Sequence, residues 1–423
     1  MSRDVQIVGR PIASSMTKCC IMSDRENPPT ARASLASTQV GDNPKIVLQI
    51  GPAPGTSGGI AAVIEETLKF ESALFEQQAC PSWEPNSKFA SLATAARTAI
   101  KMCGSARRWT VAHVHLSEYG SFIREGFLLV LSKILRKPTV VTLHGADLAK
   151  HVAKYPLLSK YVLNRADLVL CLGKNHAKIV SAIADTATQV VANPLSSEAF
   201  LSVDGAPPQR EASPTFLFAG EVGTRKGHDR LINAWPAVHA RFPDANLLIA
   251  GPLANGYSVT PQDGIIYLGN LTREALREKI ATATAVVLPS RAEVLPMALI
   301  ESHAQGTPTV YTKVGEWQVF KNAPGMRLVD TDLKSESEIA TSLADALIDC
   351  ASDCHDYRTE LTGWARKTFS SDVVSAQLDE AYDRVVSKRV GGFRGPTLWR
   401  KIKTAIVPAT PLRNGTAQTM EGQ

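Results

Sequence analysis

Residues 284–308 read TAVVLPSRAEVLPMALIESHAQGTP, with Glu293 and Glu301 eight positions apart. The opening TAVVLPS is a short, β-branched, apolar run of the kind that forms a buried strand. Glu293 closes the loop that follows. Pro296 suits the first turn of a helix, where its missing N–H has no partner to lose, and Glu301 then lies about one turn inside that helix. The stretch ends in a turn of small residues, ESHAQGTP. Strand, loop and helix in this order place both acids at the carboxyl end of a strand in an α/β sheet, where such folds bind ligands.

The same alternation extends outward in both directions. KIVLQIG, TVAHVHL, PTVVTLHG, DLVLCLG and TQVVANP are short apolar runs ended by Gly, Pro or Asn, with helical patterns such as SFIREGFLLVLSKILRK and LLSKYVLNRA between them. A second set comprises TFLFAGEVG, NLLIAGP, IIYLGN, TAVVLPS, TPTVYT and MRLVD. Strand–helix alternation predicts doubly wound parallel sheets, and 423 residues exceed the size of one hydrophobic core. The expected division has a Ser-, Thr-, Pro- and Arg-rich extension at 1–44, either disordered or upstream of a true start at Met16 or Met22. A first Rossmann-like domain follows at 45–195, then a polar, proline-containing linker at 196–213 and a second Rossmann-like domain at 214–372. A helix at 373–390 and a basic, glycine-rich tail at 391–423 complete the chain, the tail either touching a membrane or untethered.

Composition bounds the partners. Hydrophobic residues make up 44% and charged residues 20%, ordinary values for a soluble globular protein. The run GFLLVLSKIL is broken by Lys133, and no stretch reaches the eighteen or so apolar residues that span a bilayer. The N-terminus has no compact apolar region after its first charges, so no secretory signal is expected. Seven cysteines, Cys19, Cys20, Cys80, Cys103, Cys171, Cys350 and Cys354, form no even framework and read as reduced thiols in the cytoplasm. Cys350, Cys354 and His355 lack a second ligand pair and read as residues of an ordinary helix rather than as a metal site.

The net charge of +6 is uneven: between Lys88 and Arg165, thirteen Lys and Arg oppose three Asp and Glu. That segment is either a solvated basic face or a surface turned toward anionic lipid, where each base contributes about 1 kcal/mol. Nucleic acid fits poorly, since the bases have few aromatics among them and no nucleic-acid motif.

Four further stretches carry chemistry. FAGEVGTRKGHDRLINAW puts Arg225, Lys226 and Gly227 in a loop between a strand and a helix. PGTSGGIAAVIEE puts Gly58 and Gly59 after the first strand at the opening of a helix, where backbone N–H groups can approach a phosphate closely. The full G-x-G-x-x-G of dinucleotide enzymes is absent, which argues against a dehydrogenase. His144 ends a strand in VVTLHGAD, with Asp147 a short turn later, either in the site or capping the next helix. In AHVHLSEYGSFIRE, His113 and His115 share one strand face, serving either the site or packing. Asp330-Thr331-Asp332 matches a metal-binding D-x-D, but the helix-forming SESEIATSLADAL after it points to helix capping.

These stretches together resemble the retaining glycosyltransferases of family 4, whose fold is GT-B: an α/β architecture of two Rossmann-like, doubly wound parallel-sheet domains facing across a cleft. The resemblance covers most of residues 45–388 and is strongest over 215–310. It implies that Glu293 bonds hydroxyls of the transferred sugar, that Glu301 accepts hydrogen bonds from both ribose hydroxyls, and that Lys226 contacts the donor diphosphate. It also implies a phosphate-binding Gly-Gly turn at Gly58 and Gly59, and His144 projecting toward the sugar. The helix start at Leu295, Pro296 and Met297 borders the phosphates, with Leu295 and Met297 adding backbone N–H groups there.

Two departures stand out. The family segment G-R-L-x-x-x-K-G places its arginine on Glu221, leaving Arg225 as the neighbouring source of positive charge. Where the family has Gly-Phe-Gly after the first acid, this chain has Val-Leu-Pro.

The implied activity is transfer of a hexose from a UDP- or GDP-linked sugar, with retention, to a glycan acceptor linked to polyprenyl diphosphate, in bacterial surface or exopolysaccharide biosynthesis. The nucleotide sugar is a co-substrate, and neither a metal nor an obligatory cofactor is expected. The expected place is the cytoplasm, peripheral to the anionic inner face of the cell membrane. Two rivals stay open: a nucleotide-sugar epimerase or hydrolase of the same fold, and a catalytically silent binding subunit, suggested by Glu221 and the altered loop.

Overall fold

The computed structural model describes residues 44–56, 58–84, 88–200 and 213–388. The expected extension up to residue 43, positions 201–212 of the expected linker and the expected tail lie outside the described residues.

The first sheet is built from β1 (Lys45–Pro52), β2 (Phe75–Trp83), β3 (Val111–Leu116), β4 (Thr139–Leu143), β5 (Leu168–Cys171) and β6 (Thr188–Val190). All its pairings are parallel, in the order β2-β1-β3-β4-β5-β6. The connecting helices are α1 (Gly59–Leu68), α2 (Lys88–Gly104), α3 (Gly120–Ile134), α4 (Leu148–Lys154), α5 (Pro156–Leu163) and α6 (Lys174–Ile183). VAHVHL and TVVTL, which form β3 and β4, are buried at every position, the mark of central strands covered on both faces. β2 is not among the strands the sequence predicts. FEQQACPSW carries polar residues and Pro81, and it holds together as an edge strand, where a missing N–H can be tolerated.

The second sheet comprises β7 (Thr215–Ala219), β8 (Asn246–Ala250), β9 (Ile265–Gly269), β10 (Ala285–Leu288), β11 (Thr309–Thr312) and β12 (Met326–Val329). Its order, β12-β11-β10-β7-β8-β9, again with every pairing parallel, is the mononucleotide-binding arrangement with its switch point between β7 and β10. Here the helices are α7 (His228–Arg241), α8 (Arg273–Thr282), α9 (Met297–Ala304), α10 (Glu336–Ser352), α11 (Arg358–Phe369) and α12 (Ser371–Ser387).

α10 corrects one expectation. Its cap is Ser335, whose hydroxyl accepts from the Glu338 N–H while Glu338 reaches back to the Ser335 N–H. Asp330 instead accepts from the Asp332 N–H at 3.0 Å and pairs with Lys313 at 3.0 Å, so the D-T-D stretch closes a local turn that ends three residues ahead of the helix cap.

α12 returns to the first sheet. Val374, Leu378, Ala381, Tyr382, Val385 and Val386 form a stripe at helical spacing that packs on Val47, Phe75, Val111, Val140, Leu168 and Leu170. Each such buried aliphatic contributes about 1.5–3 kcal/mol. The crossing is pinned by the Leu195 N–H to the Phe369 carbonyl (2.7 Å) and the Ser371 N–H to the Leu195 carbonyl (2.9 Å). Among the described residues, no helix is long and apolar enough to cross a membrane.

Candidate active site

A cavity of about 660 Å³ opens where the carboxyl ends of the two sheets meet. Gly58 and Gly59 reach it from the loop after β1, His144 from the end of β4, Arg225 and Lys226 from the loop after β7. Glu293, Leu295, Pro296 and Met297 reach it from the connection between β10 and α9, and Glu301 from α9 itself. All ten candidates read from the sequence therefore border one space. On the second sheet they straddle the β7/β10 switch point, the crevice in which open α/β sheets hold nucleotides.

Lys226 lies in a short 3₁₀ turn, Thr224–Lys226, ended by Gly227 at φ 77°. A Cβ on Gly227 would sit 1.9 Å from the Pro289 carbonyl oxygen, so only glycine lets the two loops touch here. The turn is fastened further by Arg291, which donates to the Thr224 carbonyl at 2.6 Å and forks onto Asp229 at 2.8 and 2.6 Å. Thus held, the Lys226 ammonium pairs with the Glu293 carboxylate, which also accepts from the Ser290 hydroxyl at 3.2 Å. Arg225 stands on the same wall, its guanidinium 3.8 Å from Glu221.

On the opposite wall, Gly58 precedes α1 at φ 127°, ψ 153°, a region essentially restricted to glycine. Glu301 is pushed up to about 7, first by burial, with Arg273 and Arg277 opposing and Glu66 reinforcing. His144 is held well below the ordinary imidazole value by burial, with His115 and His176 adding to the effect. Asp147 occupies the first position before α4 without a capping bond, and its carboxylate pairs with Lys150 at 2.8 Å while bordering the cavity. His113 and His115 do share one face of β3, stacked 4.6 Å apart, and both are buried.

Several residues of the site carry no sequence signal. Arg273 on α8 crosses the cleft to Glu65 (2.5 Å) and Glu66 (3.3 Å). Asn193 donates to the Leu295 carbonyl at 3.1 Å. Glu316 accepts from the Asn175 and His176 N–H groups at 3.0 and 2.7 Å, capping α6 from the other sheet. Glu118 borders the cavity and accepts from the Asp147 N–H at 2.7 Å. Each is placed by tertiary contact more than twenty residues away in sequence, which no short motif encodes. Among the described residues, no group of three or more His, Cys, Asp or Glu side chains is arranged to hold a metal ion.

Comparison with known proteins bears on both halves. Residues 213–353 match the family described as Glycosyl transferases group 1. Sucrose-phosphate synthase from Thermosynechococcus elongatus superposes with a TM-score of 0.61 at 16% identity, over 81% of this chain and 100% of that one. The Anabaena protein HepE in complex with UDP gives 0.59 at 17% identity, over 80% and 99%. The fold is GT-B. In sequence, the serotype-specific mannosyltransferase WbdA of Escherichia coli is 24% identical over 239 residues, 50% of this chain and 29% of that protein. The chain spans less than two thirds of the length of the curated relatives it matches first.

Proposed function

We propose that this protein is a retaining glycosyltransferase of family 4 that moves a hexose from a nucleotide-diphosphate sugar to a lipid-linked glycan. The observation that carries the reading is that the Lys226–Glu293 pair and Glu301 border one cavity at the β7/β10 switch point. Lys226 meets the diphosphate, Glu301 the ribose hydroxyls, Glu293 and His144 the sugar, and the Gly58–Gly59 turn and the start of α9 supply N–H groups. The acceptor oxygen attacks the anomeric carbon from the face the diphosphate leaves. As the carbon–phosphate-oxygen bond breaks, the departing phosphate oxygen takes the acceptor's proton. No nucleophile–acid pair is needed, and the cations and dipoles around the leaving group supply the stabilisation. A relative named as a mannosyltransferase supports a hexose, and a structural neighbour holding UDP supports a nucleotide donor.

A lipid-linked acceptor, part of a bacterial surface polysaccharide, and an anionic membrane surface at the cytoplasmic side complete the proposal. Their support is the outer face of α2 and α3. Leu92, Ile100, Ile123, Phe127 and Ile134 are each more than half exposed there. Some of them line an apolar groove of about 750 Å³. Arg97, Lys101 and Arg136 accompany them within the basic segment. α3 begins two residues after Glu118 on the cavity wall.

The test is nucleotide release from a panel of UDP-, GDP- and ADP-sugars, with and without a membrane lipid extract. Release from one donor, raised at least tenfold by lipid, is the expected result. Equal release without lipid would favour the hydrolase instead, and conversion of the donor without nucleotide release the epimerase.

A further inference from the structure

Behind His144 runs a branched chain of buried polar side chains that crosses the first sheet to α12. Gln49 on β1, 1% exposed, is its hub. The Gln49 amide nitrogen donates to Gln77 Oε1 at 2.8 Å and to Tyr382 Oη at 3.0 Å. Its Oε1 lies 2.7 Å from His115 Nε2, and His115 Nδ1 lies 2.9 Å from His144 Nε2. In the branch, Tyr382 Oη lies 2.8 Å from His113 Nδ1, and His113 Nε2 lies 2.7 Å from Thr142 Oγ1. The three imidazoles are near-parallel, with centroids 4.6 and 5.1 Å apart.

The protons in this chain have one order. An amide oxygen only accepts, so His115 Nε2 carries hydrogen toward Gln49. A neutral imidazole has a single N–H, so His115 Nδ1 is a bare acceptor and His144 Nε2 must donate to it. The remaining nitrogen, His144 Nδ1, has no hydrogen-bond partner among the described residues, and His144 borders the cavity. The branch obeys the same logic. Tyr382 accepts from Gln49, so its own proton goes to His113 Nδ1, and His113 Nε2–H donates to Thr142.

We propose that Gln49, anchored by Gln77 and by Tyr382 of α12, is a positioning residue that fixes His144 as its Nε2–H tautomer, so that Nδ1 presents a lone pair to the cavity. His144 then accepts a hydrogen bond from a substrate hydroxyl and does not donate one. Burial keeps the three imidazoles neutral, with His113 lowered to about 3 and His115 and His144 well below their ordinary value. The last helix, which originates beyond the second sheet, thereby helps set the chemistry of the first domain's wall. The role of His144 toward a sugar hydroxyl rests on the proposed transfer reaction; the tautomer does not.

Long-range ¹H–¹⁵N correlation spectra of the full chain labelled at histidine read the tautomer directly, with the His144 signals identified by their loss in His144→Asn. Wild type and Gln49→Glu, which keeps an acceptor oxygen toward His115, are expected to show Nε2–H and an unprotonated Nδ1. Gln49→Leu is expected to lose that preference and to slow nucleotide release at least tenfold, with Gln49→Glu recovering most of the rate. An Nδ1–H tautomer in wild type overturns the proposal whatever the activity, and so does a Gln49→Leu protein that keeps the Nε2–H tautomer. If Gln49→Leu does not fold, wild type and Gln49→Glu decide. The Nε2–H tautomer in a protein that turns over no nucleotide sugar would sink the transfer reading and leave the relay standing.

Discussion

Lys226→Ala is expected to lower nucleotide release by about 10²–10³-fold, the usual loss when one preorganised donor to a developing negative charge is removed. The departing diphosphate gains charge as its bond to the sugar breaks, beside an ammonium that is itself mostly buried. Lys226 is the cation best fixed there. Its loop is closed by Gly227 against Pro289 and tied down by Arg291, and its ammonium already meets Glu293. Arg225 is the control. Half-exposed and 3.8 Å from Glu221, it should cost less than tenfold when replaced by alanine. Equal losses in the two variants would mean that Arg225 carries the charge missing at Glu221. A loss under threefold in Lys226→Ala would remove the lysine from the phosphate site.

The second large effect is on stability in mild acid. His113 and His303 are lowered to about 3 and His115 well below its ordinary value, in each case chiefly by burial. The folded state therefore holds these imidazoles neutral while the unfolded chain protonates them near pH 6.5. Their stabilisation is complete above that value and is lost as pH falls below it, each group costing about 1.4 kcal/mol per pH unit. Glu301 acts in the other direction. Raised to about 7, it keeps its proton in the folded state between its ordinary value and 7, so it adds stability as pH falls through that window. With His144, which burial also holds well below its ordinary value, four groups against one leave a net loss of about 4 kcal/mol per pH unit between pH 6.5 and 5, a large share of a typical total. Urea midpoints measured across this range should fall steeply. His303→Asn, at a buried site bonded only to Thr309 and outside the cavity lining, should lessen the slope by about one group's share. A flat midpoint from pH 7 to 5 would show that the buried histidines do not govern acid stability.

The fold was legible wherever a local rule carried it. Continuous β-branched runs marked the central strands β3, β4, β7 and β10, and Gly58, Gly227 and Pro296 marked the turns into helices. β2 was hidden because an edge strand need not be apolar and tolerates Pro81. The cap of α10 was misplaced by three to five residues because three acidic or hydroxyl side chains compete ahead of Ser335, and only the reciprocal Ser335–Glu338 bonds decide among them. In the cavity, residues at strand ends announced themselves, since short loops leave few positions for them. Arg273, Asn193 and Glu316 did not, because each acts across the cleft on a partner that only the folded chain brings near. The polarity of the Gln49–His115–His144 chain is likewise a property of three adjacent strands, invisible in any one of them.

Calorimetric titration shows whether the cavity holds a nucleoside diphosphate-sugar with its ribose on Glu301. UDP-glucose and GDP-mannose, whose diphosphates do not titrate near neutrality, would be added to wild type and to Glu301→Gln at pH 6, 7 and 8. Burial holds the empty Glu301 near 7, while ribose hydroxyls donate best to its ionised form. Binding of one of the two should tighten by up to about tenfold per pH unit below 7 and level off above it, and in Glu301→Gln it should be weak and independent of pH. Binding of neither donor at millimolar concentration, or equal binding to both proteins at every pH, would contradict the account.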